Sequence, residues 1–238
     1  MIPRGASTSS AYEEGAEMPS LTADVHGLLT REEVETFNPS SSVTFRHHVL
    51  PHELEEVRTL HTEWFPVDYN EDFFRSITND PDVVTVLAEL KNSRFSKIVG
   101  LATIGIRRKE KRYNFDGDLL PHLGLASDDH TISYIFTLGV VDELRKRGLA
   151  SVLLAECVRR VEATDPTCPV IFLHVIEYNR AAMRLYEKNG FKEFKTEPQF
   201  YKLGEVWYSG VMFYRPLTAA VSAIDRIAEW MKRKFASY

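Results

Sequence analysis

The sequence predicts an α/β protein on a mixed, seven-stranded sheet flanked by about four helices, and three observations lead there. Runs such as TISYIFTLGVV and PVIFLHVI carry the β-branched and aromatic residues of buried strands. Segments with apolar residues at helical spacing separate them. The order of elements, β-α-α-β-β-β-α-β-α-β-β, sets one strand–helix–strand unit among hairpins, so the sheet must mix parallel and antiparallel neighbours.

Taken in order, residues 1–42 are rich in Ser, Thr, Glu, Ala, Pro and Gly. STSSAYEEGAEMPS has too few large apolar residues to pack, so most of this stretch reads as a disordered tail. Within it, GLLTREEVETF suits a short helix with Thr30 as N-cap and Glu33 three places on. The folded domain is placed at 43–216. VTFRHHVL alternates like a strand. Pro51 opens a helix on which Leu54, Val57, Leu60 and Trp64 recur near helical spacing, and Pro66 stops it. NEDFFRSIT predicts a second helix. DVVTVLAEL and KIVGLATIGIRRKE predict strands joined by a polar turn at Asn92 and Ser93, and RRKEKRYNFDGD reads as a charged loop. After TISYIFTLGVV a helix is expected from Ala150 to Ala163. After PVIFLHVI another begins behind Asn179, a good cap, and stops at Asn189-Gly190. KEFKTE and EVWYSGVMFYRPL predict the last two strands. Residues 217–238 suit an amphipathic helix, with Leu217, Val221, Ile224, Ile227, Met231 and Phe235 on one stripe and cations toward the end.

The bulk numbers bound what such a domain does. Of 238 residues, 44% are hydrophobic and 26% charged, ordinary for a globular chain with a core of useful size. A net charge of −5 gives no general reason to expect nucleic acid, so any anion site must be local. Two cysteines, Cys157 and Cys168, are too few for a disulfide framework or a zinc site, and no metal is expected. The start lacks the pattern of a secretory signal, and no stretch approaches the ~20 apolar residues that span a bilayer. A reducing, cytosol-facing compartment fits.

The local anion site is LRKRGLAS, Leu144 to Ser151, between a strand and a helix. Gly148 lets the backbone turn tightly and approach a ligand. The N–H groups behind it open a helix whose dipole is positive at that end. Arg145, Lys146 and Arg147 add charge where a helix alone disfavours it, so they suit a bound anion better than a solvated helix start. The glycine-Lys-Ser/Thr ending of a P-loop and the several glycines of a dinucleotide fingerprint are both missing.

Arg145-Lys-Arg-Gly148-Leu-Ala150 resembles the Arg/Gln-x-x-Gly-x-Gly/Ala diphosphate loop of the GCN5-related N-acetyltransferases, the GNAT family. The order of elements from Val43 to Pro216 resembles that fold, in which acetyl-CoA lies between the strand before the loop and the strand after the helix. EWFPVDY, ISYIFTLGVVDELRKRGLASVLL, IFLHVIEYN and AMRLYEKNGF resemble the NatF-type N-terminal acetyltransferases, a membrane-associated, Golgi-type branch. The NatE-type catalytic subunits share part of the pattern.

The resemblance implies acetyl-CoA as cofactor and assigns roles. Tyr134 and His174 would remove the amine's proton, through water; free histidine titrates near 6.5 and tyrosine near 10, so histidine alone is suited to neutral pH. A histidine inside IFLHVI is chemically odd, although a satisfied core histidine is the plain alternative. Backbone groups of Leu138, Gly139 and Val140 would hold the pantetheine arm, with Gly139 marking a bulge or a close backbone approach. The loop from Arg145 through Lys146, Arg147, Gly148, Leu149 and Ala150 to Ser151 would take the diphosphate. Asn179, Tyr186, Lys188 and Asn189 would contact coenzyme A.

On the acceptor side, Phe65, Pro66 and Val67 would line an apolar pocket suited to methionine, Tyr69 and Tyr201 would bond the peptide backbone, and Phe136 would touch it. The relatives carry Glu where Asp68 stands and a Tyr-Tyr-Tyr run where this chain has Gln199-Phe200-Tyr201, so only Tyr201 of that run carries over. The implied acceptors are protein N-termini, including those of membrane proteins. Lysine side chains, histone tails among them, are the rival acceptor. A non-catalytic, membrane-tethered acyl-CoA-binding module is the rival from another class. The resemblance further implies a monomer or weak homodimer touching the cytosolic face of the Golgi or another endomembrane through residues 217–238.

Overall fold

The computed structural model describes residues 29–90, 97–109, 118–125 and 130–217. The predicted turn at Asn92 and Ser93, most of the charged loop and the amphipathic segment after Leu217 lie outside them. The strands are β1 (Val43–Arg46), β2 (Val83–Leu90), β3 (Ile98–Lys109), β4 (Thr131–Val140), β5 (Val170–Ile176), β6 (Lys192–Leu203) and β7 (Val206–Pro216). They form one sheet in the order β1-β2-β3-β4-β5-β7-β6. Among the described strands only β4 and β5 run parallel, and the strand–helix–strand unit between them is the predicted one.

Helices cover both faces: α1 (Arg31–Glu35), α2 (Leu54–Trp64), α3 (Glu71–Asn79), α4 (Leu119–His122), α5 (Leu149–Thr164) and α6 (Arg180–Lys188). Strand alternation sorts the apolar side chains between the faces. Val84, Val86, Ile135, Ile171 and Leu173 join Leu153, Cys157 and Val161 of α5 and Met183 of α6 in the larger core. On the other face Val83 and Leu87 pack with Val57, Leu60, Phe73 and Phe74 of α2 and α3. Beside them Tyr134, Phe172, Met212 and Tyr214 pack with Leu119 and Leu120 of α4.

Four boundaries differ from the sequence expectation. β1 ends at Arg46, because the Arg46 guanidinium turns inward to Glu53 and Glu89. β6 continues through Pro198 to Leu203, with a register shift between Glu197 and Tyr201 that absorbs the proline and the left-handed Gln199 (φ 53°). Helix α4 follows the charged loop in a stretch where no element was expected; its leucines bury against the sheet. Finally, residues 29–42 are packed. The Thr30–Glu33 capping box forms, Glu33 pairs with Lys97 at 3.1 Å, and Leu29 and Phe37 lie on the larger core.

Candidate active site

The parallel pairing of β4 and β5 is brief. It joins Ser133, Tyr134 and Ile135 to Ile171, Phe172 and Leu173 and goes no further. Beyond it β5 stays with β7 up to Ile176, while β4 stays with β3 up to Val140. The strands therefore part at Phe136 and His174, and one edge of β4 from Phe136 to Val140 has no described strand beside it. Backbone donors and acceptors on such an edge need partners, which a bound amide-rich chain can supply.

Phe136 is also a bulge. Thr103 faces Thr137 and Ile104 faces Ile135, so Phe136 has no opposite number on β3. An extra residue shifts the alternation of side chains by one. Tyr134, Thr137 and Gly139 thereby all face the α2–α3–α4 side, while Leu138 and Val140 turn to the α5 side. Gly139 is not the bulge. It is a close approach: a Cβ there would sit 2.5 Å from Trp64 Cε3 and 3.1 Å from Phe65 Cζ. The ring that needs its missing side chain belongs to the protein itself.

Tyr134 and His174 meet where the strands part. The tyrosine hydroxyl and His174 Nδ1 are 3.2 Å apart, with both residues buried. Phe200 stacks on the imidazole at 4.1 Å between centroids and 16° between planes, carried there by the shift in β6. Burial pushes the His174 pKa down to about 3, with Lys195 adding to the shift. The expectation of an imidazole titrating normally near neutral pH is thus corrected: it is neutral throughout the physiological range.

The loop at Gly148 takes the conformation its glycine suggested. Gly148 is left-handed (φ 89°) and is the N-cap of α5, with no side-chain cap. Arg145, Lys146 and Arg147 are exposed, and Arg145 pairs with Asp142 at 2.7 Å. Leu149 is buried, anchoring the turn. Ala150 and Ser151 follow in the first helical turn, and Ser151 Oγ accepts from Asn189 Nδ2 at 3.1 Å, which ties the end of α6 to the start of α5. Asn179 caps α6 by accepting from Ala182 N, and Lys188 is exposed. Tyr186 is buried against Phe191 and Phe213. A left-handed turn, helix N–H groups without a side-chain cap and the exposed Lys146 and Arg147 suit a diphosphate, and the open edge of β4 suits a pantetheine arm.

On the acceptor side Phe65, Val67, Tyr69, Phe136 and Tyr201 are half-buried, whereas Pro66 is exposed. Phe65, Tyr69 and Phe136 gather around Phe73. Burial raises the pKa of Tyr69, Tyr186 and Tyr201, and neighbouring tyrosines add to the shift at Tyr69 and Tyr201. Two participants escaped the sequence reading. Phe200 had no signal beyond its place in Gln199-Phe200-Tyr201. His61, at 0% exposure, did have one: it lies four residues after Val57 on the buried stripe of α2.

A sheet parted at one parallel pair, with an anion-binding turn after the first strand and a hydroxyl–imidazole pair at the fork, defines an acyl-CoA-dependent transferase fold. The chain belongs to the acetyltransferase (GNAT) family, whose model matches residues 54–191. It is 30% identical over 165 residues to N-alpha-acetyltransferase 60 of Danio rerio, covering 68% of this chain and 64% of the relative. It is 28% identical over 169 residues to the histone acetyltransferase MCC1 of Arabidopsis thaliana, covering 69% and 66%. The chain thus spans just under two thirds of these curated relatives' length. Among solved structures, Arabidopsis thaliana NAA60 in complex with acetyl-CoA superposes with a TM-score of 0.64 at 28% identity, covering 74% of this chain and 99% of that one. The same protein with a bisubstrate analogue gives 0.63 at 29% identity, covering 74% and 98%. Among the described residues no cluster of His, Cys, Asp and Glu could hold a metal, and no helix is long and apolar enough to cross a membrane.

Proposed function

We propose that the protein is an N-terminal acetyltransferase. It moves an acetyl group from acetyl-CoA to the α-amine of a protein chain, and it prefers chains that begin with methionine followed by an apolar or amphipathic residue. The observation that carries this reading is the Tyr134–His174 contact at the fork of β4 and β5, within reach of an open strand edge and a diphosphate-type loop. The likeness to NAA60 structures holding acetyl-CoA and a bisubstrate analogue supports it.

Acetyl-CoA supplies the activated acyl group, as a thioester. The first turn of α5 and Arg145–Arg147 hold its diphosphate, and the backbone of Leu138, Gly139 and Val140 holds the arm. An α-amine titrates near 7.7–8.0, so at neutral pH it must lose a proton before it attacks. Tyr134 and His174 take that proton through water. An imidazole pushed so far down does not keep a proton, so the pair relays it through that water to solvent. The amine's attack breaks the thioester C–S bond, and the departing sulfur takes up a proton from solvent to leave as the free thiol. Phe65 and Val67 accept an apolar first side chain, and Tyr69 and Tyr201 hydrogen-bond the peptide backbone behind it.

Purified protein mixed with acetyl-CoA and short peptides, with release of free thiol followed, tests the reading. Peptides starting with methionine and leucine should turn over fastest. No turnover on any methionine-starting peptide rejects it. The likeness to a histone acetyltransferase favours lysine as a second acceptor. Peptides with blocked α-amines and free lysines decide between the two. For residues 217–238 we propose reversible contact with the cytosolic face of an endomembrane such as the Golgi, through the apolar stripe. A fluorescent fusion of that segment spread evenly through the cytosol would reject this.

A further inference from the structure

His61 is fully buried in the last turns of α2, yet its two ring nitrogens are both engaged. Nδ1 lies 2.7 Å from the carbonyl oxygen of Val57, which can only accept, so Nδ1 carries the proton. Nε2 lies 3.4 Å from Thr137 Oγ1. The Thr137 hydroxyl accepts from the backbone N–H of Thr103 at 3.1 Å and so has its own proton to give to Nε2. Burial keeps the ring neutral, at a pKa of about 4, which leaves Nε2 an acceptor at working pH. The direction of every bond in the chain Thr103 N–H, Thr137 O–H, His61, Val57 C=O is thereby settled.

The two ends of this chain belong to the two halves of the reaction. Thr137 follows the bulge at Phe136 and precedes Leu138, Gly139 and Val140, the open edge assigned to the cofactor arm. His61 sits one turn before Phe65, and its ring contacts Phe65 at 5.4 Å, Tyr69 at 5.4 Å and Phe73 at 5.3 Å between centroids. At 0% exposure it packs behind the side chains assigned to the first residue of the acceptor rather than lining their surface. Three residues after His61, Trp64 lies against Gly139 and repeats the link by packing.

We propose that His61 is a positioning residue: through Thr137 it fixes Phe65 and Tyr69, the side chains assigned to the acceptor, at one distance from the cofactor strand. The inference deepens the proposed function and rests on its acceptor site. A purely structural histidine would, when replaced, lower stability and weaken both substrates alike. A positioning one acts on the acceptor.

The test is steady-state kinetics on the full chain with His61→Phe, which keeps the ring and loses both bonds, Thr137→Val, which loses the same bond from the other side, and the double variant. Each single change should raise the peptide KM about tenfold, the scale of one lost buried hydrogen bond, while the acetyl-CoA KM stays within about twofold. The double variant should be no worse than the worse single, because both singles break the same His61–Thr137 contact. His61→Gln, which can still donate and accept, should recover most of the loss. Equal rises in both KM values, additive losses, or an unchanged peptide KM would each overturn the inference. If His61→Phe does not fold, Thr137→Val decides it alone. Wild-type protein that acetylates no peptide would sink the proposed function and this role with it. Wild-type turnover with an unmoved peptide KM in the variants would sink only the role of His61.

Discussion

Around Gly148 the cationic side chains stand in solvent and the fold offers backbone N–H groups; around Tyr134 and His174 the groups are buried and held by rings and hydroxyls. The two regions are joined by β4 and α5, yet they are built by opposite means. A ligand bound mainly by backbone is indifferent to most nearby side chains. A reacting group whose position depends on buried neighbours is sensitive to all of them. Single substitutions should therefore cost far more at the fork than at the loop, and the predictions below are ordered by that difference.

The largest effect is expected for Tyr134→Phe. It removes one hydroxyl and keeps the ring against Phe136 and Phe172. We expect kcat to fall by about a hundredfold or more, the usual contribution of a positioned proton-transfer group, with acetyl-CoA binding unchanged. Titration of acetyl-CoA binding beside steady-state turnover separates the two. If kcat stays within about threefold of wild type, the proton leaves by another route.

Next comes the one loop position where the backbone itself can be broken. Gly148 has φ 89°, a conformation that costs other residues about 1–2 kcal/mol, and Pro39 Cγ lies 3.4 Å from where a Cβ would be. Gly148→Val should raise the acetyl-CoA KM about tenfold and leave the peptide KM within about twofold. This is the mirror of the His61→Phe pattern. A rise in both KM values would mean that loop and fork are mechanically one unit.

The contrast also explains what could be read from the sequence. The turn at Gly148, the cap at Asn179 and the strands PVIFLHVI and TISYIFTLGVV are local features, written in adjacent residues, and each appears in the structure where it was expected. The fork is not local. The bulge at Phe136 depends on how β3 registers with β4, so Gly139 could be flagged as unusual but not matched to Trp64. The stack of Phe200 on His174 depends on a shift in β6 around Pro198 and Gln199, and a strand expected to end at Glu197 hid it. Burial is equally non-local, which is why His174 was expected to titrate normally. The packing of residues 29–42 rests on Leu29, Phe37 and one ion pair to Lys97, too sparse a pattern to stand out in a polar stretch.

The pH response should follow the buried fork, with a definite sign. His174 and His61 have folded pKa values of about 3 and about 4, below the ordinary 6.5. As pH falls through 6.5 the unfolded chain takes up protons that the folded chain refuses, so their contribution to stability is complete above 6.5. It is lost progressively down to about 4 for His61 and about 3 for His174. The melting temperature, followed by circular dichroism, should drop across that window. At saturating peptide, kcat should show no inflection near 6.5. One that appears there and vanishes in His174→Gln would mean that the imidazole is solvated during turnover.

The smallest effect is expected where the charge is densest. Lys146 and Arg147 are exposed, and Arg145 is already committed to Asp142, so none is held by burial against the place where a diphosphate would lie. Exposed charges act across water, and their pull fades within about 10 Å at 0.1 M salt. Lys146→Gln and Arg147→Gln should each raise the acetyl-CoA KM only about twofold in dilute buffer, and the difference should shrink at high salt. The helix N–H groups, which no side-chain substitution removes, should supply the salt-independent remainder. A loss beyond about tenfold from either substitution, persisting at high salt, would mean that a cation closes directly onto the phosphates. The loop would then bind by side chains after all, and the contrast between the two regions would fail at the point where the sequence first drew attention.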